Sequence, residues 1–216
     1  MTVRALAANW SALPPVVAGT TLRSGGADDL PAPPKLLQQV HGNRVVEYSD
    51  LTTDAAAEAD AIIARQPGQI CVVKTADCLP VLLSTDSGDV IAAVHAGWRG
   101  MAAGVIEATI EQMAVEPATL MAWLGPAISA QNFEVGDEVR QAFGDHHRHD
   151  LAFFEPNARG RWQADLYELA RARLMRSGVW RVSGGGWCTF ADPARFYSYR
   201  RDGGTGRLLS FIYRKP

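Results

Sequence analysis

The strongest constraint on the fold of this chain is a series of short apolar runs between residues 61 and 95. Each run holds four to six residues and is bounded by turn-forming or polar residues, a pattern that predicts buried β strands. The last two runs flank Asp86-Ser87-Gly88-Asp89, and Ser-Gly in such a position predicts a tight turn and an antiparallel hairpin. The runs cover residues 61–64, 70–75, 81–85 and 90–95.

Further strands and helices are predicted on both sides of this region. Other extended runs cover residues 36–40, 45–48, 121–124, 196–200 and 208–213. Apolar residues spaced three and four apart predict helices over 100–113, 135–143 and 166–175. The first 35 residues contain Ser24-Gly25-Gly26 and a proline cluster, and they are predicted to be irregular. The mixed order of elements predicts one domain over residues 1–216, of the α+β class with layered, mixed sheets.

The composition is that of an ordinary globular protein, and the net charge predicts that its partner is a small molecule. Hydrophobic residues make up 47% and charged residues 20%, and the formal net charge of −2 predicts no nucleic-acid or anionic-membrane partner. The chain has neither an apolar run long enough to span a membrane nor a signal-peptide pattern near Met1. Three cysteines make no disulfide framework, which favours the reducing cytoplasm. The sequence does not give the oligomeric state.

Three side chains at or just beyond the ends of predicted strands form a candidate metal site. They are His41, Cys78 and His95. Two imidazoles and one thiolate supply three ligands and leave the fourth position open, as in catalytic zinc sites. Zinc suits this set, and copper(I) is the chemical competitor. Their wide separations match no compact zinc motif, so a structural cysteine and turn histidines are the alternative interpretation.

The residues beside these ligands suggest a site for an anion and a base. Arg99 lies where a predicted strand runs through glycine into a helix starting near Gly100, an arrangement that binds anions. A tight connection with a solvated arginine is the alternative. Trp98 could stack on a planar base. Asp77 is either a turn residue or a group that orients a ligand or transfers a proton.

The remaining histidines and cysteines have simpler interpretations. The sequence His146-His147-Arg148-His149 lies in a polar loop, where consecutive histidines favour adventitious metal binding. Cys71 lies in the middle of a predicted strand and is expected in the core. Cys188 follows a glycine-rich segment and is a candidate for a pocket rim.

Several motifs, in this order, resemble those of the YfiH-like, laccase-domain family from about residue 36 to the C-terminus. The two most specific are Thr-Ala-Asp-Cys (75–78) and His-Ala-Gly-Trp-Arg-Gly (95–100). The others are Gln-Val-His-Gly (39–42), Ala-Asp-Ala (59–61), Leu-Gly-Pro-Ala-Ile (124–128), Phe-Glu-Val-Gly (133–136) and Phe-Tyr-Ser-Tyr-Arg-Arg-Asp-Gly-Gly-Thr-Gly-Arg (196–207).

The resemblance implies a layered α/β fold, related to the cytotoxic necrotizing factor-like fold, and a zinc ion held by His41, Cys78 and His95. It implies phosphorolysis of purine nucleosides, namely adenosine, inosine and methylthioadenosine, with adenosine deamination at the same site. In this hypothesis phosphate attacks the ribose C1′, and zinc activates a water for deamination. The candidate catalytic residues are Cys78, Asp77 as proton carrier and Arg99, and the candidate substrate contacts are Arg23, Thr75, Gly97, Trp98 and Gly100.

The chain departs from the family near its front. Residues 20–26 resemble the family's Thr-Thr-Arg-x-Gly-Gly with one residue inserted. The family segment that follows, with Asn-Leu-Gly and Gly-Asp-Asp patterns, is missing before Lys35, so this part is shortened. Ala127 stands where many members have cysteine.

Three other functions stay open at this point. A copper-dependent polyphenol oxidase of the laccase type would need many more imidazoles than the five histidines present. A metal-free hydrolase could use the Cys78 thiolate as nucleophile with His95 as its base. A binding domain for another protein would result if the shortened N-terminus had disabled catalysis.

Overall fold

The computed structural model describes residues 4–12, 15–52 and 56–215. Its strands are β1 Ala5–Ala7, β2 Val16–Thr21, β3 Val45–Glu47, β4 Ala61–Ala64, β5 Ile70–Thr75, β6 Leu79–Thr85, β7 Ile91–Ala96, β8 Leu120–Leu124, β9 Glu134–Val135, β10 Phe154–Pro156, β11 Trp162–Ala164, β12 Arg181–Gly184 and β13 Leu208–Arg214. Its helices are α1 Trp98–Ala102, α2 Val105–Met113, α3 Asp137–Gly144, α4 Leu166–Arg176 and α5 Tyr199–Asp202.

The strands form three sheets. The largest has the order β12-β8-β6-β7-β4-β3, with parallel pairing at its two edges and antiparallel pairing between. A second sheet, β1-β2-β13-β5, is antiparallel, and a small third sheet has the order β10-β11-β9. The predicted fold class, layered α/β structure with mixed sheets, is confirmed.

The large sheet is the middle layer, and its two faces bury different side chains. Ile62 packs towards the second sheet, in a cluster that includes Val73 and Ile212. Ile63 faces the other way, into the cluster that holds the helices, with Ile106 of α2 and Leu169 of α4. Because successive side chains of a strand alternate between faces, a strand covered on both sides is apolar throughout. This is why the apolar runs between residues 61 and 95 are continuous.

The predicted hairpin is confirmed and positions one ligand candidate. Strands β6 and β7 pair antiparallel, with Pro80 opposite His95. The strands predicted over 61–64, 70–75, 121–124 and 208–213 and the helix over 166–175 are also present, with ends that differ by at most one residue. The short run 45–48 is a strand as far as Glu47.

The helix predicted over 100–113 is wrong as one continuous element. It is two helices, α1 and α2, and the first begins at Trp98 rather than near Gly100. Gly104 separates them with φ 88°, a left-handed conformation that interrupts the helix. The periodicity of apolar residues continues through the break, so the sequence pattern did not reveal it.

Two further elements near the cavity differ from prediction. The run 196–200 is not a strand: Ser198 caps α5, its Oγ accepting a hydrogen bond from the N–H of Arg201 at 3.2 Å. The helix predicted from residue 135 begins at Asp137, because Val135 pairs with Trp162 in the small third sheet.

The N-terminal region is more regular than predicted. Strands β1 and β2 lie within the first 35 residues, and β2 pairs with β13 in the second sheet. The Thr20 and Ser210 hydroxyls hydrogen bond at 2.8 Å in the buried interior. The small residues and threonines of β2 gave a weak strand signal. Conversely, 36–40 forms no strand, and only Gln38 bridges to Glu58.

One edge of the large sheet is covered by a side chain. In β12, the carbonyl oxygens of Val182 and Gly184 accept hydrogen bonds from the Arg171 guanidinium at 3.5 and 2.8 Å. Within the described ranges, we find no helix with the length and apolar character needed to cross a membrane.

The break between α1 and α2 gives a test of backbone conformation. A Cβ added at Gly104 would meet only Glu107 Oε2, at 3.8 Å, so Gly104→Ala adds strain without a clash. We expect it to lower the free energy of unfolding by about 1–2 kcal/mol, measured by urea denaturation. Gly26→Ala is the matched control, since Gly26 has an extended φ of −168° and open space around it. Equal stability of the two variants would contradict the prediction.

Candidate metal centre

The side chains of His41, Cys78 and His95 come together at one point. Their ligand atoms all lie within 4.8 Å of one another, and Cys78 Sγ is 3.8 Å from His41 Nε2. The two imidazole rings meet edge to face, with centroids 4.7 Å apart. Cys78 comes from the turn between β5 and β6, while His95 comes from β7, so strand pairing brings them to the same end of the sheet.

A buried carboxylate fixes the orientation of His95. Asp60 Oδ1 lies 2.7 Å from His95 Nδ1, and both side chains are nearly inaccessible to solvent. This contact leaves Nε2 as the His95 atom that faces Cys78 and is available to a metal. A carboxylate behind a ligating histidine in this way sets its tautomer and ring orientation.

The same carboxylate holds the backbone around His41. Asp60 accepts hydrogen bonds from the backbone N–H groups of His41 and Gly42 at 2.9 and 2.7 Å. His41 has φ 61°, an uncommon conformation for a residue with a side chain, and these bonds compensate its cost. The Gln39 amide adds a further link, since it both donates to and accepts from the Lys74 backbone at 2.8 Å.

Glycine is required beside the ligand atoms. A Cβ at Gly97 would lie 3.0 Å from Cys78 Sγ and 3.1 Å from His41 Cδ2. A Cβ at Gly100 would lie 2.7 Å from the carbonyl oxygen of Gly42, so Gly100 lets α1 pack against the His41 loop. Gly97 therefore lies next to the ligand atoms and Gly100 is buried under the His41 loop, and neither of them lines the cavity.

The electrostatics favour an ionised thiol. Burial opposes ionisation of Cys78, but hydrogen bonds to His41 and His95 outweigh it and lower its pKa to about 6. Burial likewise opposes a charged His95, but its bonds to Asp60 and Cys78 raise its pKa to about 9. For Asp60, burial is outweighed by its hydrogen bonds to His95 and the backbone, and its pKa is lowered.

The donor set fits a tetrahedral metal ion. With metal–nitrogen and metal–sulfur bonds of zinc, tetrahedral geometry sets the ligand atoms roughly 3.3–3.6 Å apart. Cys78 Sγ and His41 Nε2 are 3.8 Å apart, and all three ligand atoms lie within 4.8 Å of one another, so a small inward movement would bring them into this geometry. Zinc and copper(I) both accept two nitrogens and one sulfur. Within the described part of the chain, this is the only group of three or more such side chains close enough to hold a metal.

The ligand candidates open into a cavity of about 450 Å³. Its wall carries Lys74, Arg99, Arg200 and Arg207. Among the described residues, none of these four cations has an Asp or Glu oxygen within ion-pair distance. The Thr75 hydroxyl is buried in the same wall without a hydrogen-bond partner in that part of the chain. The cavity is therefore positively charged and has a free hydroxyl, which suits an anionic, polar ligand.

The structure brings most of the sequence-predicted substrate and catalytic residues to this cavity. Thr75, Asp77, Trp98 and Arg99 line it. Arg99 lies over the Trp98 ring, 5.2 Å from its centroid. Arg23 is not among the lining residues: its guanidinium donates to the Pro193 carbonyl at 3.2 Å and lies over Tyr197.

Asp77 uses both carboxylate oxygens in contacts with the C-terminal part of the chain. Oδ1 accepts a hydrogen bond from the Thr189 hydroxyl at 2.6 Å, and Oδ2 accepts one from the backbone N–H of Arg200 at 2.6 Å. The backbone φ of Asp77, which precedes Cys78, is 95°. Like His41, Asp77 therefore has a positive φ.

Sequence reasoning missed several residues of the site. Asp60 was available in the Ala-Asp-Ala motif, but no pattern indicated that it would contact two ligand segments. Lys74, Tyr199, Arg200 and Arg207 also line the cavity. Tyr199 and Arg200 lie in the run wrongly predicted as a strand, and Arg207 lies just before the next predicted strand. Only the tertiary fold brings these three residues to the cavity that Cys78 lines.

The other histidine and cysteine candidates lie elsewhere. His146, His147 and His149 are exposed and belong to no such group. Cys71 is fully buried between the sheets as predicted, and burial raises the pKa of its thiol. Cys188 is half-buried, with its Sγ accepting hydrogen bonds from Ser129 and Asn132 at 3.4 Å.

Residues 23–215 match the model of the family described as multi-copper polyphenol oxidoreductase laccase. A Pseudomonas aeruginosa purine nucleoside phosphorylase is 51% identical over 181 residues, covering 83% of this chain and 74% of the relative. The Escherichia coli purine nucleoside phosphorylase YfiH is 46% identical over 187 residues, covering 87% and 76%. A Neisseria meningitidis crystal structure assigned to DUF152 superposes with TM-score 0.92 at 39% identity, covering 99% of this chain and 100% of that one.

The contact between Asp60 and His95 gives a test of the metal centre. Asp60→Asn removes the negative charge behind His95 while keeping the side-chain shape. We expect zinc affinity, measured by competition with a chromogenic chelator, to fall by about 10- to 100-fold. Asp50→Asn, at an exposed position, is the control and should bind as the unmodified protein does. Unchanged affinity in Asp60→Asn would contradict the role of the Asp60 charge in preparing His95 for a metal.

Proposed function

The chain belongs to the family described as multi-copper polyphenol oxidoreductase laccase, and we propose that it is a purine nucleoside phosphorylase. The observation that carries the proposal is the convergence of His41, Cys78 and His95 in a cavity whose wall holds unpaired cations. The relatives at 51% and 46% identity carry this activity in their names. Adenosine, inosine and methylthioadenosine are the proposed substrates, with adenosine deamination at the same site. We place the protein in the reducing cytoplasm, where Cys78 is kept out of disulfides and is available to a metal.

The purine is held by aromatic side chains at the cavity. Trp98, Phe133 and Tyr199 line it. Phe133 is buried, whereas Tyr199 is 60% exposed and has room for a planar partner. Aromatic side chains give a flat base a large apolar contact area, and offset stacking suits them. The buried Thr75 hydroxyl is available to a polar group of the nucleoside.

The phosphate is held by the cations of the wall. In phosphorolysis, a phosphate oxygen forms a bond to the ribose C1′ while the C1′–N9 bond breaks, and the base leaves with a proton on nitrogen. Lys74, Arg99, Arg200 and Arg207 are placed to bind the phosphate and to oppose its charge with fixed positive charges. Such preorganised cations both position the attacking oxygen and stabilise charge in the transition state. The helix N-terminus proposed from the sequence adds little, because α1 has five residues.

Zinc is the proposed metal. His41, Cys78 and His95 would hold it, and Asp60 orients His95 for that purpose. When bound, zinc supplies a Lewis acid that can activate a water, the chemistry that adenosine deamination requires. The cations of the wall and Thr75 would hold the nucleoside and the phosphate in the cavity.

Polyphenol oxidation, which the family description names, is not the activity we propose. Multicopper oxidases need a blue copper and a trinuclear cluster, which together use many more imidazoles than the five histidines of this chain. Three of these histidines are exposed at 146–149, and in the described part of the chain no second metal-binding group accompanies His41, Cys78 and His95. A single copper at those three ligands remains the alternative cofactor.

The test is phosphate-dependent release of free purine base by protein with a measured metal content. We expect base release from adenosine and inosine to require phosphate and to track about one zinc per chain, the stoichiometry of a single three-ligand site. Cys78→Ala should lose the metal and the activity because it removes one ligand. Cys188→Ala is the matched control and should retain both, since Cys188 lies outside the cavity wall.

Other outcomes of this measurement favour other functions. Copper in place of zinc, with phenol turnover, would support the oxidase. Absence of both metal and turnover in folded protein would support the non-catalytic binding domain. Full activity of Cys78→Ala would overturn the site.

A metal-free cysteine hydrolase is the second candidate, because the thiol environment favours it. Cys78 Sγ lies 3.8 Å from His41 Nε2, and its pKa is lowered to about 6 by the two imidazoles despite burial. A thiolate beside a charged imidazole is the arrangement of an activated nucleophile. The sequence named His95 as its base, and the contact of Asp60 with His95 Nδ1 leaves Nε2 facing Cys78, as the carboxylate does in a nucleophile–His–Asp triad.

Alkylation of metal-free protein by iodoacetamide measures this thiol when it is followed on the Cys78 peptide, because Cys188 is also half-buried and has a lowered pKa. Because the pKa of Cys78 in the folded chain is lowered to about 6, we expect its alkylation rate to rise with pH through about 6 and to level off above. Cys71, buried with a raised pKa, should stay unmodified. One equivalent of zinc should protect Cys78 if it is a metal ligand. A trapped acyl intermediate in zinc-free protein would instead establish the hydrolase.

A further inference from the structure

We propose that Asp77 is a positioning residue that fixes the C-terminal wall of the cavity, defined as residues 189–207. This inference deepens the proposed function and rests on it, since the wall supplies Tyr199, Arg200 and Arg207 to the cavity. It assigns Asp77 a role different from the proton carrier suggested by its place beside Cys78.

Both carboxylate oxygens of Asp77 accept hydrogen bonds from the wall. These bonds come from the Thr189 hydroxyl and from the Arg200 N–H, each at 2.6 Å. Thr189 is completely buried and Asp77 is 9% exposed, so both bonds are shielded from water. Hydrogen bonds to a carboxylate are shorter and stronger than those between neutral groups.

The two bonds hold the wall at two points. Thr189 is its first residue, and Arg200 lies in α5, next to Tyr199. The backbone of Asp77 adds a third contact, because its carbonyl accepts a hydrogen bond from the N–H of Ile128 at 3.0 Å. One residue thus joins the turn that carries Cys78 to two other sides of the cavity.

Between these two points the wall is held together by hydrogen bonds among its own residues, so it can shift as a unit. The Arg201 guanidinium donates to the carbonyl oxygens of Thr189, Phe190 and Phe196 at 2.8, 2.9 and 3.0 Å. If the contacts of Asp77 are lost, the bracing by Arg201 remains, and Tyr199 and Arg200 move together relative to Cys78.

The backbone conformation of Asp77 also indicates a geometric role. Its φ of 95° is unfavourable for any residue other than glycine. Such strain persists only where surrounding contacts determine it, and at Asp77 these are the bonds to Thr189, Arg200 and Ile128. The sequence keeps a carboxylate at a position where glycine would remove the strain, which fits a requirement for its two acceptor oxygens.

Limited trypsin digestion tests the contact without reference to catalysis. The wall contains tryptic sites at Arg195, Arg200, Arg201 and Arg207. We expect cleavage within the wall to be about 10-fold faster in Asp77→Ala and Thr189→Val, because buried hydrogen bonds that hold it closed are lost. Asp77→Gly should be cleaved as fast as Asp77→Ala, because it relieves the strain but removes the acceptors. Cleavage after Arg148, exposed and outside the cavity wall, is the internal reference.

The Asp77→Asn variant separates positioning from proton transfer. Asparagine cannot carry a proton at this position, but its oxygen can accept from the Arg200 N–H while its amide donates to the Thr189 hydroxyl. Under the proposal, Asp77→Asn keeps kcat/KM for base release within about 10-fold, whereas Asp77→Ala loses about 100-fold, mainly through KM, with the pH profile unchanged. Thr189→Val should show an intermediate loss of about 10-fold.

Two results would overturn the inference. One is wild-type cleavage of the wall in Asp77→Ala and Thr189→Val, each shown by thermal denaturation to be folded. The other is an Asp77→Asn variant as inactive as Asp77→Ala beside a fully active Thr189→Val, which would make Asp77 the proton carrier. Absence of turnover in the unmodified protein would count against the proposed function alone, since the digestion still decides the role of Asp77.

Discussion

The candidate metal centre depends on the buried carboxylate of Asp60. It is fully shielded from water, and a charge in that position is tolerated only when its oxygens are all engaged. His95 Nδ1 and the N–H groups of His41 and Gly42 satisfy this requirement. The carboxylate thereby links a loop with a strained backbone to a rigid central strand. The ligand geometry follows from satisfying one buried charge, before any metal binds.

The carboxylate of Asp77 has a comparable structural role on the other side of Cys78. Asp60 joins the two histidine segments, whereas Asp77 joins the Cys78 turn to the C-terminal part of the chain. Both Asp77 and His41 have positive φ, and both lie in segments that a carboxylate holds. The cavity is thus assembled from loops whose strain is compensated by charged hydrogen bonds, while the sheets supply the fixed frame.

The sequence predicted those features that depend on local pattern. The β6–β7 hairpin followed from its turn residues, and the ligand candidates followed from residue type together with family resemblance. Gly104 shows the limit of this reasoning, since a left-handed residue within a continuous apolar periodicity leaves no separate signal. The cationic wall shows another limit. Arg200 and Arg207 reach the cavity through long-range contacts, and nothing near them in sequence identifies Cys78 as their neighbour.

The hydrogen bonds that Arg171 donates to β12 affect the tendency of the protein to aggregate at high concentration. A bare edge strand offers its carbonyl groups to any other extended chain, and a six-stranded sheet with an apolar body would be a template for aggregation. Here the guanidinium takes the Val182 and Gly184 carbonyls and puts a positive charge where an incoming strand would have to lie. The parallel edge that completes the central sheet is therefore protected against growth by a side chain from the neighbouring helix.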